Sequence, residues 1–446
     1  MAALVRYFPC EPDSEVDAEA PFSTHGGRMF RSARPDVVTR HMRDGIADRL
    51  ERALDHDRCK NTMPKLQTAR PVVAQLAKAQ SVHFRSPPLP LIRYSVEDEA
   101  EALQVILEVI SPGDAAAEEA LIHNLVSRLK ATLPPAWSKA DLIPYGSSIG
   151  GLDLYGGDVD VTVMIPWPPA GTGTHLAAED LRHLQQRYLL EWRSKLVEHG
   201  WDVGTVGLGG RVPVLSVTWD AGRTADLTVR NELSLHKSSL LREYARLDPR
   251  IRDLVRMVKH WARRRRVYGQ FRGFLGGYAL TLMAIFWAQC ASSPLVPSLQ
   301  ALAAHRQLWT DDGESVFDVA WLTAGEVLHH SALERGGYID GSAAHWTSMS
   351  LLRGFFKFYA SSFDFTCEAI SVRLGTRCLQ AMLASDSTRM SMPKAQLANV
   401  PRFVLEDPVE TNWDLGQILD VERVQHLQSE LHRAAQLLNS STSRNP

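Results

Sequence analysis

Asp158 and Asp160 stand one residue apart at the head of an apolar, β-branched run, "DVDVTVMI". In a strand, residues i and i+2 leave the same face, so the two carboxylates would point the same way. Two like charges on one face repel unless a cation sits between them, and oxygen ligands at a partly hydrated site suit Mg²⁺, with Mn²⁺ as a substitute. A DxD pair alone is common on solvated strands. Here it follows "YGSSIGGLDLYGG", Tyr145 to Gly157, which carries five glycines and a serine pair. A turn of that composition exposes backbone N–H groups. Together with the Ser147 hydroxyl, those groups can cradle the terminal phosphates of a nucleotide. A third acid, Asp226 in "TADLTV", falls on a later strand-like run. Three acids on neighbouring strands are what two-metal phosphoryl or nucleotidyl transfer requires: one pair bridges both ions, and the third helps activate the attacking hydroxyl.

The elements that must position these residues can be read around them. "LIPYGSS" is a short strand running into a turn, and "VDVTVMI" is a second strand. Arg211 to Val229 supplies two more, "RVPVLSVTWD" and "ADLTV", separated by a Gly-containing turn. Between the first pair and the second, Ala177 to Gly200 reads as one long helix. The result is a small α/β unit of roughly 100 residues.

Upstream, Ser95 with Asp98 three residues on is a near capping box for a helix bearing Leu103, Ile106, Leu107 and Ile110. "SPGD" breaks that pattern, and a second helix with Leu121, Leu125 and Leu129 is expected to run to Pro134. After Ser238 the chain reads as overwhelmingly helical, ending in an amphipathic stretch from Val421 to Leu438. The first 90 residues are the least regular, with a polar helical stretch over Asp36–Asp57 and a Pro-rich break at "SPPLPL", Ser86 to Leu91.

Composition narrows the class. The 446 residues are 45% apolar and 22% charged with a formal charge of −2, so contact with nucleic acid must come from local patches. The densest apolar stretch, Phe274 to Ala291, contains glycine, glutamine and tyrosine and reads as a buried core helix, not a membrane span. Cys10, Cys59, Cys290, Cys367 and Cys378 form no CxxC pair, which argues for a reducing compartment and against structural zinc. The 16 histidines form no HxxxH or HExxH pattern. "MAALVRYF" followed by "EPDSEVDAEA" leaves room for only a very short acid-poor transit peptide, and no secretory signal is visible.

"GSSIGGLDLYGGDVD" resembles the signature of the DNA polymerase β-like nucleotidyltransferases. More narrowly it is similar to the terminal RNA uridylyltransferases and noncanonical poly(A) polymerases. The likeness continues, in order and at similar spacing, through "RVPVLSV", the stretch "ADLTVRNELSLHKSSLLREYARLDPRIRDLVRMVKHWARRR", "LGGYALTLMAIFW", "LLRGFFKFYASSFDF" and "EDPVETNWDLG", covering about residues 95–440. It implies an α+β fold, with a small mixed-sheet catalytic domain (136–235) and a mostly helical base-recognition domain (91–135 and 236–446) across a cleft. Residues 1–90 would be an extension.

The resemblance also implies roles. Asp158 and Asp160 would bind both Mg²⁺ ions. Asp226 would bind the catalytic ion and help deprotonate an RNA 3′-hydroxyl. Gly146 and Ser147 would hold the triphosphate, and Lys259 and Arg263, at i and i+4, could reach the same phosphates. Tyr278 would stack on the base, and Ser238 would line the nucleotide. Arg264 to Arg266 are candidates for RNA contact. Two positions depart from the family pattern: Lys237 replaces a common asparagine that reads the ribose 2′-hydroxyl, and Gly277 replaces a frequent serine.

Asp407 and Glu410 match a carboxylate pair that uridylyl-specific members use to hold a water. A water giving both protons to carboxylates can accept N3–H of uracil, whereas cytosine offers an acceptor there. Where animal and yeast members carry a histidine before an asparagine, this chain has Trp413 and Asp414. The expected activity is addition of UMP from UTP to RNA 3′ ends, with ATP-dependent polyadenylation as the alternative and an inactive RNA- or complex-binding scaffold as a third class. With no inserted domain between Asp160 and Asp226, the chain looks most like kinetoplastid terminal uridylyltransferases, one of which associates with a mitochondrial editosome-like complex. That likeness points to a multiprotein RNA-processing partner and favours a mitochondrial over a cytoplasmic location.

Overall fold

A computed structural model describes residues 103–104, 106–111, 113–165, 178–220, 222–303, 317–333, 346–385 and 403–440. The expected helix over Asp36–Asp57, the break at Ser86–Leu91, the Ser95 helix start, Cys10 and Cys59 lie outside the described residues.

Helix α1 (Ala115–Lys130) starts where the Asp114 carboxylate accepts the Ala116 N–H, and Arg128 and Lys130 sit in its last turn, where the helix dipole favours cations. It buries Ile122, Leu125 and Leu129, while Leu121 is exposed. The expected stripe was thus one residue off at its start, because Ile122 shares the Leu125–Leu129 face. The helix also stops at Lys130, short of Pro134, and a 3₁₀ turn over Pro135–Trp137 leads into the sheet.

Five strands follow: β1 (Asp141–Tyr145), β2 (Val159–Met164), β3 (Asp202–Gly207), β4 (Val214–Thr218) and β5 (Thr224–Val229). A one-turn helix α2 (Ser147–Gly150) separates β1 from β2, and α3 (Ala178–Glu198) separates β2 from β3. The sheet order is β1-β2-β5-β4-β3, with β2 and β5 parallel and the other pairs antiparallel. β3 was not expected from sequence. Its "DVGTVG" carries two glycines and a register shift between Val203 and Val206, so no clean apolar alternation marks it. β4 begins at Val214, not Arg211, which leaves Arg211 in the turn before the strand. Val159, Val161 and Val163 pack with Leu125, Leu129, Trp192 and Leu227 in one core. Trp192 also donates its indole N–H to Thr132.

The second core is helical. It is built from α4 (Glu232–Leu247), α5 (Pro249–Arg264), α6 (Gly277–Cys290), α7 (Leu299–Leu302), α8 (Ala324–Leu333) and α9 (Ser348–Lys357), which runs into a π turn over Phe358–Ser362. A small pair, β6 (Glu368–Ala369) and β7 (Cys378–Leu379), comes next, then α10 (Gln380–Ser385) and α11 (Val421–Ser440). Asp248 caps α5 by accepting the Arg250 N–H, and Pro249 occupies its first turn. Every residue of α6 from Ala279 to Gln289 is buried, as a core helix requires, and no helix among the described residues is long and apolar enough to cross a membrane. Leu103, Leu107 and Ile110 belong to this helical core, whereas α1 packs against the sheet. The segment expected to join the helical part as a whole therefore divides at the Asp114 cap, where a new helix begins on a different face.

Candidate active site

Asp158 and Asp160 occupy the edge of the sheet where β2 and β5 begin. β2 starts at Val159, so Asp158 stands one residue ahead of the strand, just past a turn in which Gly156 has a φ of 71°. In the parallel pairing Asp160 lies directly beside Asp226. The Thr224 hydroxyl donates to Asp158, and the Ser216 hydroxyl donates to Asp226. Burial drives the Asp160 carboxyl up to about 7; the charges of Asp226 and Asp158 add to the rise, and Lys259 opposes it. Asp226 is also raised, first by burial, with Ser216 opposing and Asp158 adding.

Among the described residues no three His, Cys, Asp or Glu side chains close on one point as a finished metal cage, since Asp158 and Asp226 are each turned onto a neighbouring hydroxyl. The fit to a divalent cation rests on donor chemistry. Three carboxylates repel one another at one edge, and near neutrality they hold a proton that a cation can replace.

The glycine turn is built to approach this edge. Gly146 has a φ of 82°, and a Cβ there would lie 2.0 Å from Asp160 Oδ2. Its N–H donates to the Ser238 hydroxyl (2.8 Å), which itself donates to the Ser234 carbonyl (2.7 Å). Ser238 thus ties the turn, and Ser147 at the start of α2, to helix α4.

Lys259 is buried and donates to the Leu152 carbonyl (2.9 Å). Burial lowers its ammonium to about 8, with Asp153 and Asp160 pushing back and Arg263 lowering it further. Arg263 is exposed, its guanidinium 5.0 Å from the Tyr268 ring centroid, so the expected pair splits into one inner and one outer cation. The Gly277 departure has a spatial reason. A Cβ at that position would come 3.3 Å from Lys259 Cε and 3.4 Å from the Tyr268 hydroxyl oxygen.

At the other end of the cleft, Tyr278, Asp407 and Glu410 come together. The Tyr278 hydroxyl donates to Asp407 Oδ1 (3.3 Å), which also accepts the N–H groups of Val409 (3.0 Å) and Glu410 (3.1 Å). Burial and these two carboxylates push the Tyr278 phenol well above its ordinary range. Lys237 Nζ lies 2.5 Å from Asp407 Oδ2 and 3.4 Å from Glu410 Oε2. Arg211, in the turn before β4, crosses the cleft to pair with Glu410 and sits 4.2 Å above the Trp413 ring. Asp414 accepts the Leu405 (3.0 Å) and Gly416 (2.8 Å) N–H groups, fixing this loop.

Sequence reasoning did not single out Arg211, Tyr268, Ser216 or Thr224 as site residues. Only Tyr268 carried a local signal, an aromatic just after the "RRRR" run. Lys237 was noted as a departure, but its partners lie 170 and 173 positions away.

Two family descriptions match this chain: "Poly(A) RNA polymerase, mitochondrial-like, central palm domain" over residues 101–246, and "Cid1 family poly A polymerase" over residues 349–412. The terminal uridylyltransferase cid1 of Schizosaccharomyces pombe is 27% identical over 342 residues, 74% of this chain and 76% of that protein. The poly(A) RNA polymerase gld-2 of Caenorhabditis elegans is 27% identical over 58% of this chain but only 22% of its own length. The structure of Cid1 with the UTP analog UMPNPP has a TM-score of 0.60 at 23% identity, covering 79% of this chain and 97% of that one. A complex of Cid1 with its short product ApU gives 0.61 at the same identity and coverage. Sheet, helical core and cleft are thus those of the Cid1 nucleotidyltransferase fold. These matches support the terminal uridylyltransferase and noncanonical poly(A) polymerase family of nucleotidyltransferases for this chain.

Proposed function

We propose that the protein adds UMP from UTP to RNA 3′ ends. The observation that carries this reading is the buried Asp407–Glu410 pair at the hydroxyl end of Tyr278, where a base stacked on that ring would present its edge. Carboxylates there accept and do not donate, directly or through a water, which suits N3–H of uracil and opposes N3 of cytosine. Similarity to a uridylyltransferase over three quarters of both chains supports the same reading.

In the reaction, the RNA 3′-oxygen forms a bond to the α-phosphorus of UTP, the bond to the bridging oxygen breaks, and pyrophosphate leaves. Asp226 takes the hydroxyl proton. Gly146, Ser147, Lys259 and Arg263 hold the triphosphate, Ser238 fixes the turn beside it, and Tyr278 stacks on the base. Asp158, Asp160 and Asp226 would hold Mg²⁺ or Mn²⁺, which when bound polarises the phosphate and favours the ionised hydroxyl. The likeness to kinetoplastid editing-associated enzymes supports a multiprotein RNA-processing partner and a mitochondrial site of action.

Extension of a 5′-labelled single-stranded RNA with Mg²⁺ and each nucleoside triphosphate separately tests the reading. UTP should support extension and Asp160→Ala should abolish it. Extension by ATP in preference to UTP would overturn the base assignment and favour the polyadenylating alternative, which the gld-2 similarity keeps in view.

A further inference from the structure

In-line displacement at the α-phosphorus sends pyrophosphate away on the side opposite the incoming 3′-oxygen. With Lys259 and Arg263 on the triphosphate, that side is the C-terminal half of α5. A groove of about 210 Å³ lies there, between α5 and the chain that leads from Leu152 to Asp158. Leu154 and Tyr155 line it from the loop, and His260, Arg263 and Arg264 line it from the helix. The three helical residues stand at i, i+3 and i+4 and so share one face. Lys259 donates to the Leu152 carbonyl (2.9 Å) and Arg256 to the Asp153 carbonyl (3.1 Å), which anchors the loop against α5.

The groove is chemically one-sided. Among the described residues its lining carries two guanidiniums and no carboxylate. Burial keeps His260 uncharged, with Arg264 and Arg263 adding to the effect, so its imidazolium is lowered to about 4 and the neutral ring can donate one N–H. Arg263 joins this groove to the triphosphate site. The Lys259 ammonium feels the charges of both Arg263 and Asp160, and successive turns of a helix are only about 5.4 Å apart. A diphosphate that leaves Lys259 therefore meets Arg263 and then Arg264 without losing contact with positive charge. Pyrophosphate, small and made of acceptor oxygens, matches the guanidinium fork. An RNA strand fits less well, because its 3′ end must approach from the opposite side.

We propose that this groove is a second phosphate-binding site, which takes pyrophosphate from the triphosphate site after transfer, with Arg264 as its own ligand and Arg263 shared between the two. Arg264, a candidate for RNA contact on sequence, thereby falls on the leaving-group side. The inference rests on the nucleotidyl-transfer reading above and not on the choice of base.

Calorimetric titration of pyrophosphate into protein already saturated with UMPNPP and excess Mg²⁺ tests it, since the triphosphate site is then filled. A further pyrophosphate should still bind, and Arg264→Gln and Tyr155→Glu should each weaken that binding by about tenfold. Tyr155 is 73% exposed, so a carboxylate there opposes the arginines with little effect on folding. It carries the test if Arg264→Gln does not fold, as judged by its melting curve. Absence of pyrophosphate binding to the saturated protein, or unchanged affinity in the folded variants, overturns the proposal. So does a loss of RNA affinity in Arg264→Gln with pyrophosphate binding intact, which would assign the arginine to the acceptor strand. Saturation by AMPPNP but not by UMPNPP would instead remove the uridylyl reading, and the pyrophosphate titration is then read on the AMPPNP-saturated protein.

Discussion

The cleft holds two clusters of carboxylates, and they are treated in opposite ways. At the catalytic end burial raises Asp160 and Asp226, driving Asp160 up to about 7, and the neighbouring Asp158 charge adds to the rise of both. At the base end Asp407 and Glu410 are more deeply buried, yet Lys237 and Arg211 are paired with them. Burying a carboxylate without compensation is costly, so each cluster reveals what compensates it. The base end is completed by the protein's own cations and can be stiff and ready before a nucleotide arrives. The catalytic end is short of positive charge, which is the condition for binding an added cation.

Replacement at the catalytic end should break this contrast most sharply. Asp160→Asn is expected to lower extension by about a thousandfold or more in single-turnover assays. It should leave the melting temperature unchanged or raised, because one repelling charge is gone. A marked loss of stability instead would mean that the aspartate serves the fold.

Tyr278→Ala should act on the nucleotide and not on the chemistry. Loss of a stacked base is worth about 1–3 kcal/mol, or roughly tenfold to a hundredfold in KM, with kcat little changed. A loss confined to kcat would remove Tyr278 from the base site.

The third effect concerns Lys259, whose ammonium is lowered to about 8. A lowered lysine is charged below that value and neutral above it. In the free enzyme kcat/KM should therefore decline as pH rises through about 8, by up to about tenfold per unit, and Lys259→Arg should remove that limb. An unchanged limb in the variant would assign the titration elsewhere.

The smallest effect is expected from Arg211→Ala. Its side chain is 44% exposed, so the pair with Glu410 should contribute at most about 1 kcal/mol to stability, read from a denaturant midpoint. A larger loss would show that the base end depends on Arg211 as much as on Lys237.

The catalytic end was largely legible because its residues are contiguous or sit on strands with clear patterns. Asp160 needed only the period of a strand, Asp158 stands one residue ahead of it, and the Gly146 turn announced itself by composition. β3 was missed because two glycines and an irregular register erase the alternation that marks a strand. Arg211 was absorbed into an expected strand, and its removal from that strand is what lets it reach Glu410. Leu121 and Ile122 show the same limit at smaller scale, since adjacent apolar residues leave the buried face of a helix undecided by one position.

The sequence by itself carried the local features: the aspartate pair, the glycine turn, the buried core helix and the motif order that resembles a nucleotidyltransferase family. Those features are written in spacings of a few residues, where strand and helix geometry is fixed by the backbone alone. Tertiary structure decided which charges meet. Lys237 and Arg211 find Asp407 and Glu410 across 170 to 199 positions of chain, and only the packing of the sheet domain against the helical core sets those distances. Within the sheet, the parallel pairing of β2 with β5 places Asp226 beside Asp160, turning three ordinary carboxylates into an edge that calls for a cation.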